Sequence, residues 1–307
     1  MINRELIRLK VLQLVYAYYS NEGKTLEAAE KEFLFSLDKA YELYHNLLLL
    51  MLGISHMAER MVEMQQNRAR RLNERDSVST KFIQNRFIAQ LRENRQLKAF
   101  QEKQNALWGE EDEFLRRTYQ TITKQPFYQE YVMSGESSYE EDRELWRKIY
   151  RNVLCNNEEL DEILEDNSLY WNDDKTIVDT FVLKTIRKFE EKAGAEQELL
   201  PEYKDTEDPK FATTLFRTTI ENETYYRQLI RERTLNWELE RIAVMDLVIM
   251  QIALAEITSF PEIPLSVSIN EYVELAKIYS TPRSCSYING LLDTIAKELI
   301  ADGKIDK

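Results

Sequence analysis

Glycine and proline are nearly absent from this chain. Seven Gly and six Pro stand among its 307 residues, and between them run long stretches of Leu, Glu, Lys, Arg and Gln. Those residues lose least on entering a helix, whereas Gly and Pro are the ones that interrupt it. No stretch alternates apolar and polar residues with the period of a half-buried strand. The sequence therefore predicts an all-α protein. With 43% apolar residues, a chain of this length buries one large core or two modest ones.

Several function classes find little material. The longest apolar run, residues 47–54, is far short of the roughly 20 residues a membrane-spanning helix needs, so no membrane is expected. Arg4, Glu5, Arg8 and Lys10 sit inside an amphipathic pattern at the start of the sequence, which does not resemble a signal peptide. Cys155 and Cys285 match no metal or redox spacing; they are expected to be buried thiols in a reducing, cytoplasmic setting. His45 and His56 return to nearly one helix face, but about 16 Å of rise keeps them off a shared ion. With no Gly-rich phosphate loop, the expectation is no enzyme, no metal and no cofactor.

The net charge of −13 argues at first against nucleic acid, yet the charges are segregated. Ten Lys/Arg stand against four acids in residues 68–103, and eighteen acids against seven Lys/Arg in residues 110–174. Solvated helix faces would account for each block separately.

The helical pattern gives an ordered set of expectations. A first helix spans 3–20 with Ile7, Val11, Leu14, Val15 and Tyr18 inward, and Asn21-Glu22-Gly23 ends it. Thr25 caps a second helix carrying Phe33 and Leu37. A separate long helix follows over 38–71, its Met57, Met61 and Met64 stripe read as core filler. The basic segment forms a helix over 80–107. Ser138 and Glu141 make a capping box for a helix through Leu154. Residues 194–208 are a loop, after which Asp208 caps a helix with Pro209 at its first position. Ser268 and Glu271 make another capping box. A last helix puts Ile288, Leu292, Ile295 and Leu299 on one stripe. Within it, Asn289-Gly290 needs a reason, because Gly costs roughly 1 kcal/mol relative to Ala in a helix interior; close approach of another helix would supply one.

An offset of 66 places residues 145–186 on 211–252 without a gap. Arg151, Asn156, Trp171, Val182 and Ile186 meet Arg217, Asn222, Trp237, Val248 and Ile252 as identities, and Tyr150, Leu154, Ile163 and Leu164 meet Phe216, Ile220, Leu229 and Ile230. The pattern reads as two related helical units.

The run INEYVELAKIY followed by SYINGLLD resembles the C-terminal signature of the NusB family of bacterial transcription antitermination factors. Two other segments agree. NRELIRLKVLQLVYAYY resembles the family's first helix, with Gln13 and Tyr16 in its Gln-x-x-Tyr. WELERIAVMDLVIMQIALAEI resembles its central helix, with Trp237, Arg241, Asp246 and Glu256 in matching places. The likeness covers about the first 35 and the last 100 residues, and a typical member is roughly half this long. It implies a NusB-like helical bundle over 1–37 plus 205–307, with residues 38–204 an inserted helical region that includes a degenerate second unit.

The resemblance also implies a function. Such proteins bind single-stranded boxA-like RNA through a basic first helix and the start of the final one, pair with the ribosomal protein NusE, and join an RNA polymerase antitermination complex, here in ribosomal RNA operons. The residues in those places are Arg4, Arg8 and Lys10 on the expected exposed edge of the first helix, and Arg283 with Tyr287 opening the last. A cation beside an aromatic ring suits a stacked base next to a phosphate. The family's arginines are thinned, with Glu5 and Leu6 among them, and each missing cation weakens phosphate attraction. Ion pairing of Arg4 and Arg8 with Glu5 or Glu22 is the structural alternative. Tyr16 and Glu256 fall on the implied partner surface, unless Glu256 pairs internally with Arg241 or Lys277, since an acid on an apolar helix must be paired or exposed. Trp237 and Asp246 are assigned to the core. The competing function is a helical scaffold for ribosomal or polymerase proteins that has lost RNA recognition.

Overall fold

The computed structural model describes residues 1–21, 23–72, 79–103, 107–135, 138–234 and 242–307. Among them every regular element is helical, and a single isolated β-bridge joins Ile2 to Tyr203. Glu22, Trp237 and Arg241, to which the sequence assigned roles, lie outside the described residues. No helix among these residues is long and apolar enough to cross a membrane. The chain divides into two compact units, one of Met1 with Lys39–Glu202 and one of Ile2–Asp38 with Tyr203–Lys307.

The second unit is built round α12 (Val244–Ser259), whose residues from Asp246 to Ile257 are all buried. Against it pack α1 (Arg4–Ser20), α10 (Glu207–Glu221), α11 (Glu223–Arg233), α13 (Leu265–Tyr279) and α14 (Pro282–Ala301). A helix apolar on every side is stable only when it is covered on every side, and this one is. The opening turns of α2 (Leu26–Leu72) add Phe33, stacked on Phe216 at 4.7 Å.

The other unit holds the rest of α2 with α3 (Arg86–Glu93), α4 (Arg95–Gln101), α5 (Asp112–Thr123), α6 (Pro126–Met133), α7 (Tyr139–Ile149), α8 (Glu158–Asn167) and α9 (Lys175–Lys188). Its core is aromatic: Phe82 lies 5.4 Å from Trp146, and Phe87 lies 5.3 Å from Phe189. Gly53 is where backbone and neighbour come close, since a Cβ there would stand 3.4 Å from the Leu115 methyls.

Several boundaries differ from the sequence reading. Thr25 caps as expected, accepting the Ala28 N–H at 3.2 Å, but α2 runs unbroken through position 38, because nothing there forbids the helix. The basic segment is two short helices. Asn94 ends one and caps the next, accepting the Leu97 N–H at 3.0 Å while its amide reaches Gln197 O at 2.6 Å. Met57 is buried, but Met64 is 70% exposed and fills no core. Helix α10 begins at Glu207, ahead of Pro209, with the Asp205 carboxylate accepting the Glu207 N–H at 2.9 Å. Helix α13 starts at Leu265, so Ser268 and Glu271 are no capping box and their side chains are free for other bonds. Helix α14 starts at Pro282 and Thr281 caps it, which places Tyr287 more than a turn inside. Among the described residues nothing stands within 4 Å of a Cβ built on Gly290, so no close approach among them explains that glycine.

The 66-residue offset carries over into burial. Leu145, Trp146, Ile149, Tyr150, Val153 and Leu154 are buried on α7 and the π-helical turn Tyr150–Leu154. Their counterparts Phe211, Ala212, Leu215, Phe216, Thr219 and Ile220 are buried on α10. Leu160 and Leu164 of α8 match Tyr226 and Ile230 of α11, and Val182 and Ile186 of α9 match Val248 and Ile252 of α12. Both units thus use one helical phase over three successive helices.

Candidate nucleic-acid and partner interface

Glu256 is wholly buried, and its carboxylate collects four hydrogen bonds. Arg8 donates two, from Nε at 2.8 Å and Nη2 at 2.9 Å. The hydroxyls of Ser268 and Tyr272 donate at 2.8 and 2.9 Å. The third nitrogen of Arg8 reaches Glu271 at 3.0 Å. A planar guanidinium facing a carboxylate through two parallel bonds is the strong form of an ion pair. Burial opposes the charge on Arg8, but the bonds and charge of Glu256 outweigh it, and the guanidinium is held above its ordinary pKa. Burial, then the charge of Glu256, also pushes the Tyr272 phenol well up.

This cluster corrects three site expectations. Arg8 is only 4% exposed and Lys10 is fully buried, so neither lies on an exposed edge of α1. Glu256 offers nothing to an outside protein, because its internal partner is Arg8 and not Lys277, while Arg241 lies outside the described residues. Ser268, Glu271 and Tyr272 complete the network. Spacing alone could have flagged them: Glu256 is an acid within the otherwise apolar second half of its helix, and residues 268, 271 and 272 share one face of the next helix.

Of the first-helix cations, Arg4 keeps solvent contact. Its Nε lies 3.6 Å from Asp208 and its guanidinium 4.9 Å from the centre of the Phe211 ring. Tyr16 is 40% exposed. Arg283 is exposed on the first turn of α14, and Tyr287, one turn on, is 37% exposed. Burial and then the charge of Asp246 raise the Tyr287 pKa. Asp246 is otherwise a core acceptor, taking the Ser280 hydroxyl proton.

The two groups of candidate residues are held at different ends of α12. Arg8 is fixed to Glu256, near the carboxyl end, and Arg4 lies over Phe211, whose ring is 4.8 Å from that of Phe260 just past the helix. The residue before the cap of α14, Ser280, is tied through its hydroxyl to Asp246, in the first turn. Ten residues of helix separate those anchors, about 15 Å of rise. Arg8 and Lys10 are buried, so neither joins Tyr287 in an exposed patch.

Between residues 81 and 98 the basic segment is neutralised in place. Lys81, Arg92 and Arg95 pair with Glu141, Glu59 and Glu196 at 3.2, 2.6 and 2.7 Å. Arg86 reaches Glu191 at 3.1 Å and Lys98 reaches Glu93 at 2.5 Å. His45 is buried and stacked on Phe100 at 4.5 Å, while His56 is exposed beside Glu59. Among the described residues no group of three His, Cys, Asp or Glu is arranged to hold a metal ion.

Comparison with known proteins gives a consistent picture. The model of the NusB family matches residues 178–297, from α9 to the last turns of α14. The transcription antitermination protein NusB of Salinibacter ruber is 37% identical over 132 residues, 41% of this chain and 82% of that protein. Its counterpart in Thermodesulfovibrio yellowstonii is 37% identical over 124 residues, 40% of this chain and 78% of the relative. That of Koribacter versatilis is 39% identical over 105 residues, covering 34% and 72%. Among solved structures, T. maritima NusB is 33% identical and covers 38% of this chain and 82% of its own, with a TM-score of 0.30.

Proposed function

This chain belongs to the NusB family, and from that premise we propose that it is a transcription antitermination factor acting without chemistry of its own. On this reading it binds boxA-type single-stranded nascent RNA together with the ribosomal protein NusE, in the transcription of ribosomal RNA operons. The observation that carries the RNA part is the pairing of exposed Arg283 with half-exposed Tyr287 one turn along α14. Residues four apart share a helix face, and a cation with a stacking ring is what a single strand asks of a protein. Arg4 supports the reading as a peripheral phosphate contact. Tyr16, exposed on α1, supports a protein contact there. Arg8, Lys10 and Glu256 are assigned to the fold.

One observation favours the second reading, a scaffold that has lost RNA recognition: two of the three first-helix cations are buried. Titrating a boxA-like single strand with protein, alone and with NusE, separates the two. The RNA reading expects binding that strengthens with NusE and weakens as salt is raised. Substitution Tyr287→Ala is expected to cost about 1–3 kcal/mol of that binding, the worth of one stacked base. Absence of binding in both conditions, with NusE still captured, leaves the scaffold.

A further inference from the structure

Among the described residues, the last ten of α2 include none that is buried, and only Gln66 and Ala69 are partly covered. Val62 is the last buried residue of that helix, and none of residues 63–72 is buried. At 1.5 Å per residue this is about 15 Å of helix carried beyond the last buried residue. Helices in proteins draw their stability mainly from an apolar face laid against a core, and a helix that is polar all round needs another reason to exist.

The sequence of that stretch is EMQQNRARRL. It holds one acid and three cations, all arginine, behind Gln65, Gln66 and Asn67. Unlike the paired cations of the segment that follows, Arg68, Arg70 and Arg71 join no ion pair among the described residues. Arg68 and Arg71 share a face at i,i+3 spacing, and Arg70 points round the other side. Cations in a final turn also complement the helix dipole. That accounts for Arg70 and Arg71, but not for Arg68 or for the uncovered length, and lysine would serve it equally.

We propose that residues 63–72 are an RNA-contacting arm, in which Arg68, Arg70 and Arg71 grip phosphates of a single strand and the neighbouring amides touch sugar or base edges. The proposal rests on the reading above that the chain binds RNA. The guanidinium fork matches a phosphate through two bonds. Arginine-rich segments are a recurrent means of holding RNA. A membrane surface fits less well, because exposed Met64 and Leu72 are ringed by amides and charges and form no apolar face.

The test uses the full chain and three variants: the triple Arg68→Ala, Arg70→Ala, Arg71→Ala; the same three changed to Lys; and, as a control, the exposed pair Arg116→Ala with Arg117→Ala. Binding of a fluorescent boxA-like strand, a scrambled strand of equal length and phosphatidylserine-containing vesicles is followed across salt, with circular dichroism as the check on folding. The alanine triple is expected to lose about tenfold or more in affinity for both strands, and about 2 units of log–log salt slope, at roughly 0.7 per phosphate released. The lysine triple should keep the slope, and the control should match the parent. Parent-like affinity and slope in the alanine triple overturn the arm while leaving RNA binding intact. Loss of vesicle binding with RNA binding unchanged overturns it in favour of a membrane contact. A parent protein that binds neither strand overturns both this proposal and the reading beneath it.

Discussion

Glu256→Ala is the most severe single change the structure offers outside the apolar core. It deletes the acceptor of four hydrogen bonds, at 2.8, 2.9, 2.8 and 2.9 Å. What remains is a guanidinium 5% exposed, with one bond left to Glu271, itself 37% exposed. Removing one partner of a buried pair costs about 3–5 kcal/mol, most of it the penalty of stranding the other charge. The hydroxyls of Ser268 and Tyr272 lose their acceptor as well, at about 1 kcal/mol each when nothing replaces it. The bond to Glu271 and water entering the vacated space offset part of that. A loss of about 4 kcal/mol is expected, against a total of roughly 5–15 kcal/mol for a typical domain.

Urea unfolding followed by far-ultraviolet circular dichroism measures the loss, and hydrogen exchange of the α12 amides localises it. The decisive comparison is the double variant Arg8→Met with Glu256→Leu. Replacing a buried ion pair by apolar groups of similar volume is often neutral or better, so the double should recover most of what either single loses, with a coupling energy of about 2 kcal/mol or more. Arg8→Lys, by contrast, should lose stability against the parent, because an ammonium cannot make the two parallel bonds. A loss below about 1 kcal/mol for Glu256→Ala, or a double variant no better than the singles, would refute the reasoning that the pair is a desolvated clamp joining α1, α12 and α13.

Three further outcomes follow. Burial, and then the charge of Asp179, push the Cys155 thiol up to about 12; alkylation of Cys155 in a Cys285→Ser variant at pH 8 should therefore run more than about a hundredfold slower than for an ordinary thiol of pKa near 8.5, and accelerate as pH rises toward that value, with a rate like that of a model peptide counting against it. Gly290→Ala should stabilise by about 0.5–1 kcal/mol in urea unfolding, since the helix gains propensity and the new Cβ meets nothing within 4 Å among the described residues; a loss would mean a neighbour outside them. Gln251→Met should stabilise by about 1 kcal/mol, because neither end of that buried amide has a hydrogen-bond partner among the described residues; a loss of similar size would place a structural water there.

What the sequence disclosed and what it withheld follow from the range of the physics involved. Helix type was legible from Gly and Pro scarcity, and caps at Thr25 and Ser138 from chemistry that reaches only three residues. The misplaced start of α13 is instructive because its local signal was good. Ser268 and Glu271 have capping-box spacing, yet Pro264 precedes the helix and both side chains are drawn off to Glu256 and Arg8, 12 and 263 residues away. The same long-range pair removed Arg8 and Glu256 from the exposed set. A cation on an amphipathic helix edge reads as solvated until a buried carboxylate elsewhere in the chain is placed against it. Arg283 and Tyr287 kept their exposure because no such partner competes for them among the described residues.

The 66-residue offset shows the same division between pattern and partner. The apolar phase survives at a 66-residue offset, because a helix must bury the same stripe in either unit whatever the side chains are. The polar anchors do not survive. In one unit Tyr150 donates to Asp179 at 2.7 Å, and Lys175 donates to the same carboxylate at 3.0 Å; the matching positions for Tyr150 and Asp179 in the other are Phe216 and Met245. Thr185 is satisfied by the Tyr44 hydroxyl at 2.6 Å, whereas its counterpart Gln251 is buried with its amide unmatched. Two stretches that share one helical phase can each fill a core by keeping volume and phase. Its buried polar groups must each find a partner anew, since an unpaired one costs about as much as a lost hydrogen bond. The two units thus share a packing plan and differ in their ionic locks, so the stabilising substitutions and the fatal ones should fall at different repeat positions in each.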